Sequence, residues 1–326
     1  MKKQTLVSGI TATGTLTLGN YIGAIKNFIK LQDEYEMFIF VADLHALTTD
    51  ISAKALSENR KNIMALYIAA GLDPKKATIF YQSSVSAHGE VSFIMENRTT
   101  LGELQRMTQF KDKSQKGDGK KIKTGLLTYP ALMAGDILIY NANVVPTGAD
   151  QKQHIELTRN IAERFNNQYG ETFNIPKPFI PEIGAKIMSL SDPTKKMSKS
   201  SKVQKSFISL LEDPKLVHKK INKAVTDSEN KVYFSEDKPG VSNLLTIYAS
   251  LKDITIPEAE LEFKDAENYG VLKKAVSDVL EEFLTDLQSK YVIALKNIDK
   301  IAEAGAIKAN EVSQKMLKEI HKKIGL

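Results

Sequence analysis

The sequence predicts an α/β fold: a doubly wound parallel sheet in the first part of the chain, followed by an all-helical C-terminal part. Three features carry this. Continuous apolar runs of strand length alternate with helix-period stripes from Thr5 to Phe165, the pattern of strands buried on both faces and joined by crossover helices. A glycine-bearing turn, Ser8-Gly9-Ile10-Thr11-Ala12-Thr13-Gly14, joins the first strand to the first helix. Beyond Val203 only amphipathic helical spacing remains.

Thr5 to Ile10 reads as the first strand. Glycines at 9, 14 and 19 let a ligand approach the backbone, and a helix starting near Leu18-Gly19-Asn20 points N–H groups above the strand, which suits a phosphate. Tyr21, Ile22, Ile25, Phe28, Ile29 and Leu31 form one helix stripe. Met37 to Ala42 is the second strand, Ser52 to Ala70 the next helix and Ala77 to Tyr81 the third strand. This βαβαβ order places Thr11 to Asn20, Asp43-Leu44-His45 and the loop after Gln82 at the carboxyl edge, where such sheets bind ligands.

From Glu103 to Lys123 the alternation is interrupted, and Lys113, Lys116, Lys120, Lys121 and Lys123 with Gly117 and Gly119 read as a mobile solvated loop. Tyr129, Met133, Asp136 and Tyr140 then recur at helical spacing, with Pro130 expected in the first turn. A carboxylate on an apolar face is costly unless paired. Asp136 therefore requires a donor, which a structural role would supply as an Arg, a Lys or a helix N-terminus. Asn143 to Thr147 is a further strand, and Gly148 to His154 opens a long helix through Arg164 to Phe165; His154 reads as a helix-surface or structural residue.

Ile187-Met188 and Leu190 read as the end of a buried strand, broken by Asp192-Pro193, so Lys195-Lys196-Met197-Ser198-Lys199-Ser200-Ser201 lies on a loop beyond it. Ammoniums and hydroxyls there suit a bound phosphate, and Met197 can anchor the loop by packing. Phe207–Leu211, Pro214–Val225, Val241–Leu251, Ala266–Lys296 and Ile298–Ile324 read as helices, with Lys215, Lys219, Lys220 and Lys223 forming a basic face suited to a nucleic-acid backbone.

With 326 residues, 42% hydrophobic and 26% charged, disordered and fibrous classes are excluded. A net charge of +6 and a pI near 9.0 permit a polyanionic partner. The absence of cysteine removes disulfides and thiolate metal sites and fits a reducing cytosol. The histidines at 45, 88, 154, 218 and 321 show no ligand spacing, so no protein-held metal is expected. Neither a signal peptide nor an apolar stretch of about 18 residues is present, so the expected location is the cytoplasm, without membrane association.

Several segments resemble signatures of one family. Lys196-Met197-Ser198-Lys199-Ser200 is similar to the second signature of the class I aminoacyl-tRNA synthetases, and Thr17-Leu18-Gly19-Asn20 stands where these carry the first. The Thr/Asn form of that first signature, the following Tyr21-Ile22-Gly23-Ala24, Ser8-Gly9-Ile10, Tyr129 to Asp136, and Gly148 to His154 look like the tryptophanyl-tRNA synthetases in particular. Thr11, Ala12, Ala131, Gly135 and Ala149 depart from the residues commoner there. The resemblance spans essentially the whole chain.

It implies a Rossmann-like catalytic domain over residues 1–203, with a connecting insertion at 98–127 near a dimer interface and the tRNA acceptor end. Residues 204–326 would form a helical anticodon-binding domain whose last helix packs back on the catalytic one. The implied reaction activates L-tryptophan with ATP and transfers it to the 3′ end of tRNA(Trp), in a homodimer, with Mg²⁺ carried by the nucleotide. On this resemblance Thr17, Asn20, Lys196 and Lys199 are catalytic. ATP is handled by Thr11, Ala12, Thr13, Gly19, Asn20, Gly148, Ala149, Asp150, Ile187, Lys196, Met197, Ser198, Lys199 and Ser200. Tryptophan is held by Val7, His45, Tyr129, Met133, Asp136, Val145 and Gln151. The rival readings are a tyrosyl-type synthetase, a non-catalytic RNA-binding paralogue and a small-metabolite nucleotidyltransferase. The Met133/Asp136 helix suits indole better than phenol, the intact lysine loop argues against the second, and the long basic helical half argues against the third.

Overall fold

The structure is a computed structural model and describes residues 3–115, 122–148, 151–179, 186–199 and 203–326. The basic stretch 116–121, and with it most of the expected lysine loop, lies outside the described residues. Among those described, β1 (Thr5–Thr11), β2 (Glu36–Ala42), β3 (Ala77–Tyr81), β4 (Val144–Pro146) and β5 (Lys177–Phe179) form one sheet in the order β3-β2-β1-β4-β5. Every pairing in it is parallel. The order reverses between β1 and β4, which opens a crevice at their carboxyl ends.

Period-two alternation explains why these strands read as unbroken apolar runs. Leu6, Met37, Ile39, Val41, Ala77 and Ile79 face one apolar cluster, while Val7, Phe38, Phe40, Ala42 and Phe80 face a second on the other side. The first cluster also takes in α4 (Ala53–Ala69) and residues of the C-terminal half such as Leu244, Leu280 and Leu284. The second is closed by α5 (Ala87–Glu96), α8 (Thr124–Leu138), α9 (Lys152–Tyr169) and the end of α14 (Ile298–Ile324). The last helix lies along edge strand β3 so closely that a Cβ on Gly305 would sit 1.9 Å from the Ile79 carbonyl oxygen. Among the described residues no helix is long and apolar enough to cross a membrane.

Between β1 and β2 the expected single helix is divided into α1 (Leu18–Asn20), a π-helical turn at Tyr21–Ile25 and α2 (Lys26–Leu31). A short α3 (Asp43–Ala46) follows β2, and α6 (Leu101–Arg106) and α7 (Thr108–Gln115) precede α8. Ser52 caps α4 by accepting the Ala55 N–H. Pro130 is not in a first turn: α8 starts at Thr124, so the proline sits inside it and removes one helical hydrogen bond, while packing against α5 keeps the helix intact. Tyr140 lies just past its end.

Two further expectations are corrected. Phe207–Leu211 is not a helix: Ser209 forms an isolated antiparallel bridge with Thr17, the Leu18 N–H donates to Ile208 O and the Leu210 N–H to Leu16 O, and Leu210-Leu211 then turns. Ile187-Met188 is not a strand of the sheet; Met188 forms an isolated antiparallel bridge with Lys196. Beyond it come α10 (Val217–Asn222), α11 (Pro239–Lys252), α12 (Ile256–Glu262) and α13 (Tyr269–Leu295). Lys220 leaves the basic face, since its ammonium sits 2.6 Å from Glu212 and 2.9 Å from Phe207 O. Lys215, Lys219 and Lys223 stay exposed, and neighbouring Lys205 and Lys219 push the Lys223 amine below its ordinary range.

Candidate active site

Both phosphate-type segments meet at the carboxyl end of β1. Thr17 caps α1, and the Asn20 Oδ1 accepts both its N–H (2.9 Å) and its hydroxyl (3.0 Å). With that oxygen committed and Thr17 buried, the Asn20 amide N–H groups are what this pair can offer a phosphate. Thr11 is half-buried at the strand end. Ala12 is fully buried, and its carbonyl accepts from the Asn59 amide at 3.2 Å, which fixes the turn into Thr13 and Gly14.

The lysine loop is held against this turn from below. Met197 is buried, its N–H donates to Ile187 O at 2.9 Å, and the Ser189 N–H donates to Lys195 O at 2.8 Å. A Cβ on Gly19 would lie 3.7 Å from both the Ile187 and Met197 Cβ atoms, so the two signatures are in van der Waals reach. Lys195 is taken up by Asp192 at 2.7 Å, which with Thr194 holds the Asp192 carboxyl down at about 2. Lys199 instead points inward: its Nζ is 3.2 Å from Thr13 Oγ1, and burial lowers its pKa. Lys196 bridges Met188 and Ser198 lies between the two lysines, on the same loop. Gly148 accepts the Gln151 N–H at the start of α9. Ala149, Asp150 and Ser200 lie outside the described residues.

On the other side of the crevice α8 presents Tyr129, half-buried Met133 and Asp136. Asp136 is 1% exposed, yet its donors are neither Arg, Lys nor a helix end. Gln82 Nε2 reaches both oxygens (2.8 and 2.9 Å), His45 Nε2 reaches Oδ2 (2.8 Å) and His88 Nδ1 reaches Oδ1 (2.7 Å). Burial pushes this carboxyl up, but the hydrogen bonds from His45 and His88 outweigh it and hold the pKa below the ordinary value. Gln82 is itself oriented, because its Oε1 accepts the Leu44 N–H at 3.1 Å. Tyr129 is pinned through its hydroxyl to His154 Nε2 (2.7 Å) and Gln109 (3.2 Å), and its ring meets His45 edge-on. His154 is thus buried, not on the surface. Val7 and Val145 are buried in the second cluster beneath this pocket.

Gln82 and His88, the two fully buried partners of Asp136, are residues that sequence reasoning missed. The signal for them was indirect: a buried carboxylate needs several donors, and neither residue stands in a motif that marks it as one.

A profile described as tRNA synthetases class I (W and Y) matches residues 1–285. The chain belongs to this family. Within it the similarity is to the tryptophan enzymes. A tryptophan–tRNA ligase of Mycoplasmopsis pulmonis is 58% identical over 330 aligned residues, covering 100% of this chain and 99% of that protein. The solved tryptophanyl-tRNA synthetase of Mycoplasma pneumoniae superposes with a TM-score of 0.93 at 39% identity, covering 100% of this chain and 98% of that one. That of Campylobacter jejuni, a complex with ADP and tryptophan, gives 0.82 at 30% identity over 99% of this chain and 100% of that one.

Proposed function

We infer that this chain ligates tryptophan to tRNA in two steps. The tryptophan carboxylate attacks the α-phosphorus of ATP, the α–β bridging bond breaks, and pyrophosphate leaves with the bond electrons. A hydroxyl of the tRNA terminal ribose then attacks the activated carbonyl and AMP departs. Because the nucleophile is already ionised and the leaving group is fair, the first step needs alignment and charge neutralisation more than a general base. Lys199 over the Thr13-Gly14 turn, Lys196 and the Asn20 amide would supply that charge and orientation. Their amines, hydroxyls and amide suit phosphate oxygens and not a divalent cation, so Mg²⁺ would enter held by the nucleotide. When bound it would neutralise charge on the phosphates.

The observation that carries the amino-acid side is Asp136, buried on α8 with its carboxyl held below its ordinary pKa. Its four hydrogen-bond contacts fill its oxygens, and of the three donors only His45 has an exposed edge, at 12% of its side chain. The indole N–H would take the seat of His45, with Tyr129, Met133 and Val145 as walls. A buried acceptor rejects side chains without a donor by roughly 10⁴-fold or more, so no editing site is required. Residues 204–326 would read the anticodon. A homodimer would cover Phe93 and Leu101, which are exposed on α5 and at the start of α6. ATP–pyrophosphate exchange measured with each amino acid in turn tests the assignment: exchange with tryptophan alone is expected, and preference for tyrosine, or none at all, would overturn it.

A further inference from the structure

His88 is assigned to neither substrate, yet it is enclosed completely, with no solvent exposure. Its Nδ1 lies 2.7 Å from Asp136 Oδ1 and its Nε2 2.8 Å from the Tyr140 hydroxyl. We propose that His88 is a positioning residue for amino-acid selection: clamped between Tyr140 and Asp136, it fixes the recognition carboxylate so that only the edge held by His45 is open to a ring N–H. This rests on the assignment of Asp136 to the indole.

Hydrogen bookkeeping supports the direction of the clamp. An ionised Asp136 only accepts, so the imidazole must carry its proton on Nδ1. Burial, with the Asp136 charge nearby, pushes the Tyr140 phenol well above its ordinary pKa, so it keeps its proton and needs an acceptor. His88 Nε2 is that acceptor. Tyr140 thereby selects the tautomer that donates to Asp136; the other tautomer would aim a lone pair at the carboxylate.

The ring cannot turn away. It is boxed by Phe40 (5.6 Å between centroids), Phe80 (6.0 Å) and Tyr140 (5.5 Å), and Tyr140 is stacked on Phe38 at 4.5 Å. Gln82 is held on the same carboxylate by its bond from Leu44. Two donors are therefore locked by second partners, and rotation of the carboxylate would break both. A carboxylate free to rotate would no longer keep one lone pair aimed at the edge held by His45 and would lose its discrimination for a ring N–H.

The test compares L-tryptophan with β-(3-benzothienyl)alanine, an isostere without the N–H, in pyrophosphate exchange. His88→Leu should raise KM for tryptophan by about 10–100-fold, the range for losing a hydrogen bond to a charged group. It should lower the preference over the isostere by a similar factor, while KM for ATP stays within about two-fold. His88→Asn, whose Nδ2 can occupy the Nδ1 position, should recover most of both, and Tyr140→Phe should fall between. Wild-type KM and preference in His88→Leu, or a loss that His88→Asn does not relieve, would overturn the proposal. If His88→Leu does not fold, an unchanged preference in Tyr140→Phe overturns it instead. Asp136→Asn runs alongside: if that variant too behaves as wild type, the assignment of Asp136 fails, whereas a shift there with none at His88 sinks only the positioning role.

Discussion

Lys199 Nζ lies 3.2 Å from Thr13 Oγ1, although 186 positions separate the two residues in the chain. The second lysine of the late loop thus closes over the first glycine turn, where a Cβ on Gly14 would come within 3.3 Å of the same amine. A desolvated ammonium attracts phosphate more strongly than a hydrated one. Lys199→Ala should slow single-turnover adenylate formation by about 10²–10³-fold, the scale for removing one preorganised electrostatic contact. Because the chain contains no tryptophan, indole fluorescence reports the ligand alone. Tryptophan affinity measured that way should remain near wild type; a large affinity loss with a normal rate would contradict the role.

Asp136→Ala should weaken tryptophan binding by about 100-fold or more, since breaking a buried charged network costs roughly 3–5 kcal/mol. ATP use should change far less. The sign with pH also follows. A carboxyl held below its ordinary value contributes stabilisation that is present above that value and is lost only as pH falls through the lowered one. Tryptophan affinity should therefore show no carboxylate titration from about pH 5 to 8. A carboxylate-type inflection in that range, abolished in Asp136→Asn, would show that the acid is not held charged.

Legibility in the sequence tracked how local the cause was. β2 and β3 could be read because both faces of each strand are buried, which leaves an unbroken apolar run. Phe207–Leu211 is a run of similar character but too short to distinguish helix from strand, and its partners at Leu16 and Leu18 decide the matter. Asp136 could be singled out as a charge on an apolar face. Its donors could not, because Gln82, in the turn after β3, and His88, on α5, stand 54 and 48 positions upstream and only the packing of those two elements around α8 brings them to it. The π-helical turn at Tyr21–Ile25 left no mark that separates it from an ordinary helix.

Gly305→Ala should destabilise the protein, reversing the usual benefit of about 1 kcal/mol for this exchange inside a helix. The added methyl would lie 1.9 Å from Ile79 O, so α14 must lift from β3 or the strand must bend. Overpacking of this kind costs about 1–3 kcal/mol. Thermal unfolding should show a lowered midpoint, and a raised one would mean that α14 does not sit on the strand.

Glu103 joins α6 to α9. Its carboxylate accepts from both terminal nitrogens of Arg164, one at 2.9 Å, and from the N–H and hydroxyl of Thr100 at 2.9 Å each. Arg164, as the largest contributor, and Thr100 pull its pKa from 4.5 to about 2. A depressed carboxyl stabilises the fold above its unfolded value and loses that contribution as pH falls through the folded one. Glu103→Gln should therefore be less stable than wild type at pH 7, by about 1–3 kcal/mol for hydrogen bonds to charged groups. The gap should narrow as pH falls from 4.5 towards 2. Urea unfolding of both proteins across that window measures it, and a difference that stays constant down to the lowest pH would show that the ion pair contributes nothing through its charge.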